Sequence, residues 1–143
     1  MTLMTNRSRR AGFTLLELLV VVVIVGLLAM LVGPRYFSKL ERSKAQIVRA
    51  QIDSMDKGVV QYRIDNGHYP SVDLGLVALF APPPNEPNWR GPYLKKVLPS
   101  DLWGYPYVYK APGSDNREFE ITSYGSDGQP GGTGDAADIT NWQ

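Results

Sequence analysis

The sequence predicts an α+β protein. One long N-terminal helix, membrane-spanning in its first half, packs its second half against a small antiparallel sheet, and an acidic loop closes the chain. Three observations carry this. An apolar run from Phe13 to Val32 is 20 residues long, about 30 Å as a helix and so one bilayer core. Beyond Pro34, Val48, Ile52, Met55, Val59 and Tyr62 recur at +4, +3, +4, +3, one stripe of an amphipathic helix. Two short β-prone stretches follow near the C-terminus, Tyr105 to Lys110 and Phe119 to Tyr124.

The apolar run holds one discordant residue, Glu17. An ionisable group in a spanning segment costs at least a few kcal/mol and usually marks a function. Arg7, Arg9 and Arg10 precede the run with no acid among them, which places the N-terminus in the cytoplasm and the remainder outside. A cleaved secretory signal has a similar start, but this run is longer than a usual signal core and no small-x-small cleavage site follows it. Gly33-Pro34-Arg35-Tyr36 reads as a kink that the helix continues through. The helix then runs to Asn66-Gly67, where residues tolerant of left-handed backbone stop it, with Tyr69-Pro70 beyond. The stripe is expected to pack on a domain core, with Lys39, Arg42, Lys44, Arg49, Asp53, Lys57 and Arg63 largely off it.

Ser71-Val72-Asp73 offers an N-cap for a short helix through Leu74, Val77 and Phe80, weakened by Gly75. Residues 81–87 form a proline-rich loop, and Asp101 to Gly104 a turn. The two strands then form a hairpin, with Pro106 marking an edge. Trp103, Tyr105, Tyr107 and Tyr109 suit core and turn packing better than a sugar site. From Gly125 to Asp138 the chain is mostly small and polar, the composition of a disordered segment. Ile139 and Trp142 follow it, which suggests that the end is tied back to the core.

The 143 residues leave room for one domain after the apolar segment, and net charge is +1. The distribution is uneven. Residues 101–143 hold seven acids, Asp101, Asp115, Glu118, Glu120, Asp127, Asp135 and Asp138, against Lys110 and Arg117. That argues against nucleic acid and favours an end that can hold a hard cation. There is no cysteine and a single His68, so disulfides, thiolate catalysis and Cys- or multi-His metal sites are excluded. A membrane-anchored enzyme would need a nucleophile with a base or an acid pair. Ser100-Asp101 and His68 form no recognisable arrangement of that kind.

At Gly12-Phe13-Thr14-Leu15-Leu16-Glu17 the chain resembles the type IV pilin and pseudopilin superfamily. Three further segments narrow this: Asp65 to Pro70, Asp101 to Tyr107, and Tyr124 to Gly128 with Ala137-Asp138-Ile139. Together they are similar to the major pseudopilins of type II secretion systems, over essentially the whole chain. A type IV pilus subunit or a minor pseudopilin is the nearest alternative. Many pilins close a C-terminal loop with a disulfide, which this chain lacks, and one class of minor pseudopilin lacks the acid at Glu17.

The resemblance implies a pilin-like fold and a division of the chain: leader 1–12, transmembrane and assembly helix 13–33, periplasmic domain 34–143 (amphipathic helix 34–66, head 67–143). A prepilin peptidase is expected to cut between Gly12 and Phe13 and to methylate Phe13. The mature subunit then enters a helical homopolymer growing from the inner membrane. Its partners are further copies of itself, minor pseudopilins, the inner-membrane assembly platform and inner-membrane lipid. Phe13, Glu17 and Pro34 are the implied assembly residues, Glu17 pairing with a neighbour's Phe13 amine. The acidic loop is expected to bind Ca²⁺ through Asp127, Asp138 and the carbonyls of Tyr124 and Gln129. Where some relatives carry a second acid beside the last Asp, this chain has Ala137, and Asp135 is the expected substitute. Asp56 with Lys95 and Lys96 could pair between subunits; solvated charges worth under about 1 kcal/mol are the alternative.

Overall fold

The computed structural model describes residues 12–96 and 100–143, with the side chains of 33–38 excepted. The chain divides at Lys39/Leu40 into two compact units.

Helix α1, Leu15–Asn66, contributes to both. In the first unit its window Leu15–Val32 has a mean hydropathy of 3.1 and none of it is buried. By length and composition it can cross a membrane. The backbone is helical through Gly33 and Pro34 as well, so the expected single helix is found, beginning two residues after Phe13. Its end is capped as the sequence predicts. Gly67 takes φ +84°, its N–H donates to the Arg63 carbonyl at 2.8 Å, and Asn66 Nδ2 donates to the Tyr62 carbonyl at 3.0 Å.

The second unit is built on the predicted stripe. Val48, Ile52, Met55, Val59 and Tyr62 are all at most 1% exposed. Against them pack Ala78, Leu79, Leu94, Tyr109, Phe119, Ile121 and Ile139. The sheet has three antiparallel strands in the order β1-β2-β3: Val108–Lys110, Glu120–Ser123 and Ile139–Thr140. Val108 faces Thr122 across the first pair, and Thr122 faces Thr140 across the second. β1 lies on an edge, as Pro106 implies.

Three expectations need correction. The short helix after Ser71 is a 3-10 turn, Gly75–Leu79. Ser71 serves it through its carbonyl, which accepts from Leu74 and Gly75, because Gly75 at φ +55° bars a regular α-helical start. The strands are shorter than predicted, since β1 begins only at Val108. β2 does not alternate: all four of its residues are buried. Glu120 tolerates this because the Ser114 N–H and the Thr122 hydroxyl donate to its carboxylate at 2.9 and 3.3 Å, with Lys110 at 3.8 Å. Those contacts outweigh burial and hold its carboxyl below the usual range.

Candidate functional site

The first site is the start of α1. Thr14 N–H donates to Glu17 Oε2 at 2.9 Å and the Thr14 hydroxyl to the same oxygen at 3.1 Å. Glu17 N–H donates back to Thr14 Oγ1 at 3.2 Å. This is a capping box, in which two side chains satisfy donors that a helix start leaves orphaned. It also sets a carboxylate at the positive end of the helix dipole. Sequence reasoning picked Glu17 and overlooked Thr14, although Thr-x-x-Glu before an apolar run is the signature of such a box. Both donors end on Oε2; neither uses Oε1. Phe13 is 84% exposed just ahead, and Gly12 beside it is also exposed. The leader arginines lie outside the described residues. Pro34 is placed within α1 by its backbone.

The second site is the C-terminal loop, which is ordered around two 3-10 turns, Gly125–Asp127 and Gly134–Ala136. Tyr124 precedes the first. Glycine is required where the turns meet. A Cβ on Gly125 would stand 2.8 Å from the Ala137 carbonyl oxygen, and one on Gly132 would stand 2.3 Å from that of Ala136. Both have positive φ, +62° and +88°. The residues expected as ligands lie along this loop. Asp127 Oδ1 accepts from Gln129 N–H at 3.0 Å, and Asp138 Oδ2 accepts from Gly131 N–H at 2.9 Å. Asp138 Oδ1 is buried without a hydrogen-bond partner among the described residues, a costly state for a carboxylate oxygen. Asp135 is exposed. No three His, Cys, Asp or Glu side chains gather at metal-ligand spacing among the described residues, so a cation here would need backbone oxygens too.

Asp56, expected to pair with Lys95 or Lys96, pairs with neither inside the subunit. Its Oδ1 accepts from Asn141 Nδ2 at 2.8 Å, and the two lysines are exposed. The aromatic cluster packs and pins rather than forming a sugar site. Trp103 Nε1 donates to Glu41 Oε2 at 2.6 Å, the Tyr107 hydroxyl to Gln51, and the Tyr109 hydroxyl to the Pro70 carbonyl at 2.9 Å. Buried Asp101 is the hub sequence reasoning missed. Its Oδ1 accepts from Trp103 and Tyr105 N–H at 3.0 and 2.9 Å, and its Oδ2 from the Ser123 hydroxyl at 2.6 Å. His68 lies against Glu86 at 3.3 Å instead.

Two family profiles partition the chain. The prokaryotic N-terminal methylation motif matches residues 7–33, and type II secretion system (T2SS), protein G matches residues 35–142. The chain belongs to the type II secretion system protein G family. It is 44% identical over 141 residues to the type II secretion system core protein G of Pseudomonas aeruginosa, covering 96% of this chain and 98% of that one. Against the core protein G of Vibrio cholerae the identity is 43%, over 97% and 96% of the two chains. The crystal structure of the major pseudopilin from the type 2 secretion system of enterohaemorrhagic Escherichia coli superposes with a TM-score of 0.59 at 34% identity. It covers 74% of this chain and 92% of its own. The exposed apolar start of α1 is the part of this family member that length and composition suit to crossing a membrane.

Proposed function

We propose that this chain is the major structural subunit of a type II secretion pseudopilus, a polymer that helps drive folded proteins across the outer membrane, and that it does no catalysis. The observation that carries this is the junction of a methylation motif and a wholly exposed apolar helix, with Glu17 in its first turn, on a protein G domain.

Cleavage between Gly12 and Phe13 by a prepilin peptidase releases a new amine on Phe13, which that enzyme methylates. This positive group sits at the positive end of its own helix dipole, an unfavourable place. A neighbouring subunit's Glu17 can offset it as the helices leave lipid and pack on one another. Either charge alone would be costly to bury, whereas the pair is tolerable and fixes register. Glu17 can enter that pair through Oε1 while Thr14 holds Oε2. The leader stays cytoplasmic, α1 crosses the inner membrane, and residues 34–143 lie in the periplasm. Assembly proceeds with minor pseudopilins on the inner-membrane platform, and Asp56 with Lys95 or Lys96 is a contact between neighbours.

The C-terminal loop holds calcium. Asp127 and Asp138 offer carboxylate oxygens, Tyr124 and Gln129 carbonyls, and Asp135 a further carboxylate at the rim. The donor set is all oxygen and suits a hard cation. Bound Ca²⁺ would neutralise the acids and satisfy the unpartnered Asp138 oxygen.

The test is complementation in a strain lacking its own copy. The expected result is a pseudopilus, restored secretion, and a methylated Phe13 as the amino terminus by mass spectrometry. Assembled subunits that still begin at Met1 would overturn the reading.

A further inference from the structure

Asn141 ties the strand that follows the C-terminal loop to helix α1 by a side-chain hydrogen bond. Its backbone N–H donates to the Ile121 carbonyl at 3.2 Å, and its Oδ1 accepts from the Ile121 N–H at 3.0 Å. These two bonds extend the β2–β3 ladder one position past Thr122–Thr140, with a side-chain carbonyl standing in for a backbone one. The rest of the same amide, Nδ2, donates to Asp56 Oδ1 at 2.8 Å. The side chain therefore cannot turn away without breaking a strand bond and a helix bond together. At its other end β3 joins Asp138 with no intervening residue, and Ile139 is buried in the core.

We propose that Asn141 couples the order of the 124–138 loop to the Asp56 carboxylate on α1, so that a divalent cation taken up by the loop also fixes the direction in which Asp56 points. This rests on the calcium reading of the loop. Asp56 is half-buried, and with Oδ1 held, its second oxygen is presented in one direction. Coupling is reciprocal: whatever loop order does for the Asn141–Asp56 bond, that bond does for cation affinity.

The experiment is calorimetric titration of the full chain in detergent micelles with calcium alone. Asp56→Ala removes the helix bond and is expected to weaken calcium binding about five- to tenfold. Asn141→Ala also loses the strand bond and is expected to weaken it at least as much. The double variant should match Asn141→Ala, because both changes remove one shared bond. Asp56→Asn keeps an acceptor for Asn141 and should bind as the wild type does. Should Asp56→Ala not fold, Asp56→Ser, too short to reach Nδ2, repeats the comparison. Wild-type affinity in Asp56→Ala, with a melting temperature lowered equally with and without calcium, would overturn the coupling and leave the calcium site standing. No calcium uptake by the wild type would overturn both.

Discussion

Trp103 donates its indole N–H to Glu41 at 2.6 Å, joining the turn before β1 to α1. That bond, reinforced by Lys44 at 2.9 Å, holds the Glu41 carboxyl below its usual range. A carboxylate whose folded pKa is depressed contributes stability above the unfolded pKa and loses it as pH falls through the folded one. Trp103→Phe and Glu41→Gln should each lower stability at neutral pH by about 1 kcal/mol, roughly 4–5 °C in melting temperature. Both should also lose part of the wild type's destabilisation between neutral and strongly acid pH. Acid sensitivity unchanged in Glu41→Gln would exclude the contact as its source.

Glu17→Ala should leave the subunit inserted in the membrane and block efficient assembly. Removing a charge lowers the insertion cost, so loss of protein is not the expected defect. Thr14→Val separates the two roles of Glu17, since it breaks the capping box and leaves the carboxylate for a neighbour. It should weaken the helix start by about 1 kcal/mol and still assemble. Normal filaments from Glu17→Ala would refute the pairing.

The calcium binding proposed for the C-terminal loop should be visible in thermal melts. Fixing each loop residue costs roughly 1–2 kcal/mol of entropy, and a cation that binds only the ordered loop offsets this by mass action. Chelation should lower the melting temperature, Asp127→Ala or Asp138→Ala should mimic chelation, and calcium on the order of millimolar should rescue the wild type alone. Identical melts with calcium and with chelator would leave Gly125 to Asp138 as a solvated tail.

Gly132→Ala should be severe for so small a change. The added methyl would meet the Ala136 carbonyl oxygen at 2.3 Å, on a backbone at φ +88°. A loss of about 2 kcal/mol or more is expected, with calcium affinity falling alongside. Gly131→Ala, at φ +95° but with open space around it, should lose only the smaller conformational part.

In the filament, α1 is expected to loosen near Gly33-Pro34, where Pro34 brings no N–H donor and Gly33 is permissive. Unbroken helical geometry from Gly26 to Leu40 in a filament map would contradict this.

The parts of the fold that sequence reveals are those set by period. All five stripe residues of α1 are buried because 3.6-residue spacing leaves no other face for them. Glu17 was legible because its cost is local. The connections that make the head cohere were not. Glu41 meets Trp103 across 62 positions and Asp56 meets Asn141 across 85, and no spacing rule reaches that far. β3 went unseen because two residues carry no period. Its presence was hinted only by Ile139 and Trp142, apolar residues stranded after a polar tract.

The sheet's outer strands are three and two residues long, and past β3 the Ile121 N–H is already taken by a side chain. Exposed strand edges are templates on which other chains add without limit. A subunit that polymerises through its N-terminal helix has most to lose from a second, unregulated way of joining. Stubby edges deny it that route and leave joining to the helical end, on which the proposed assembly rests.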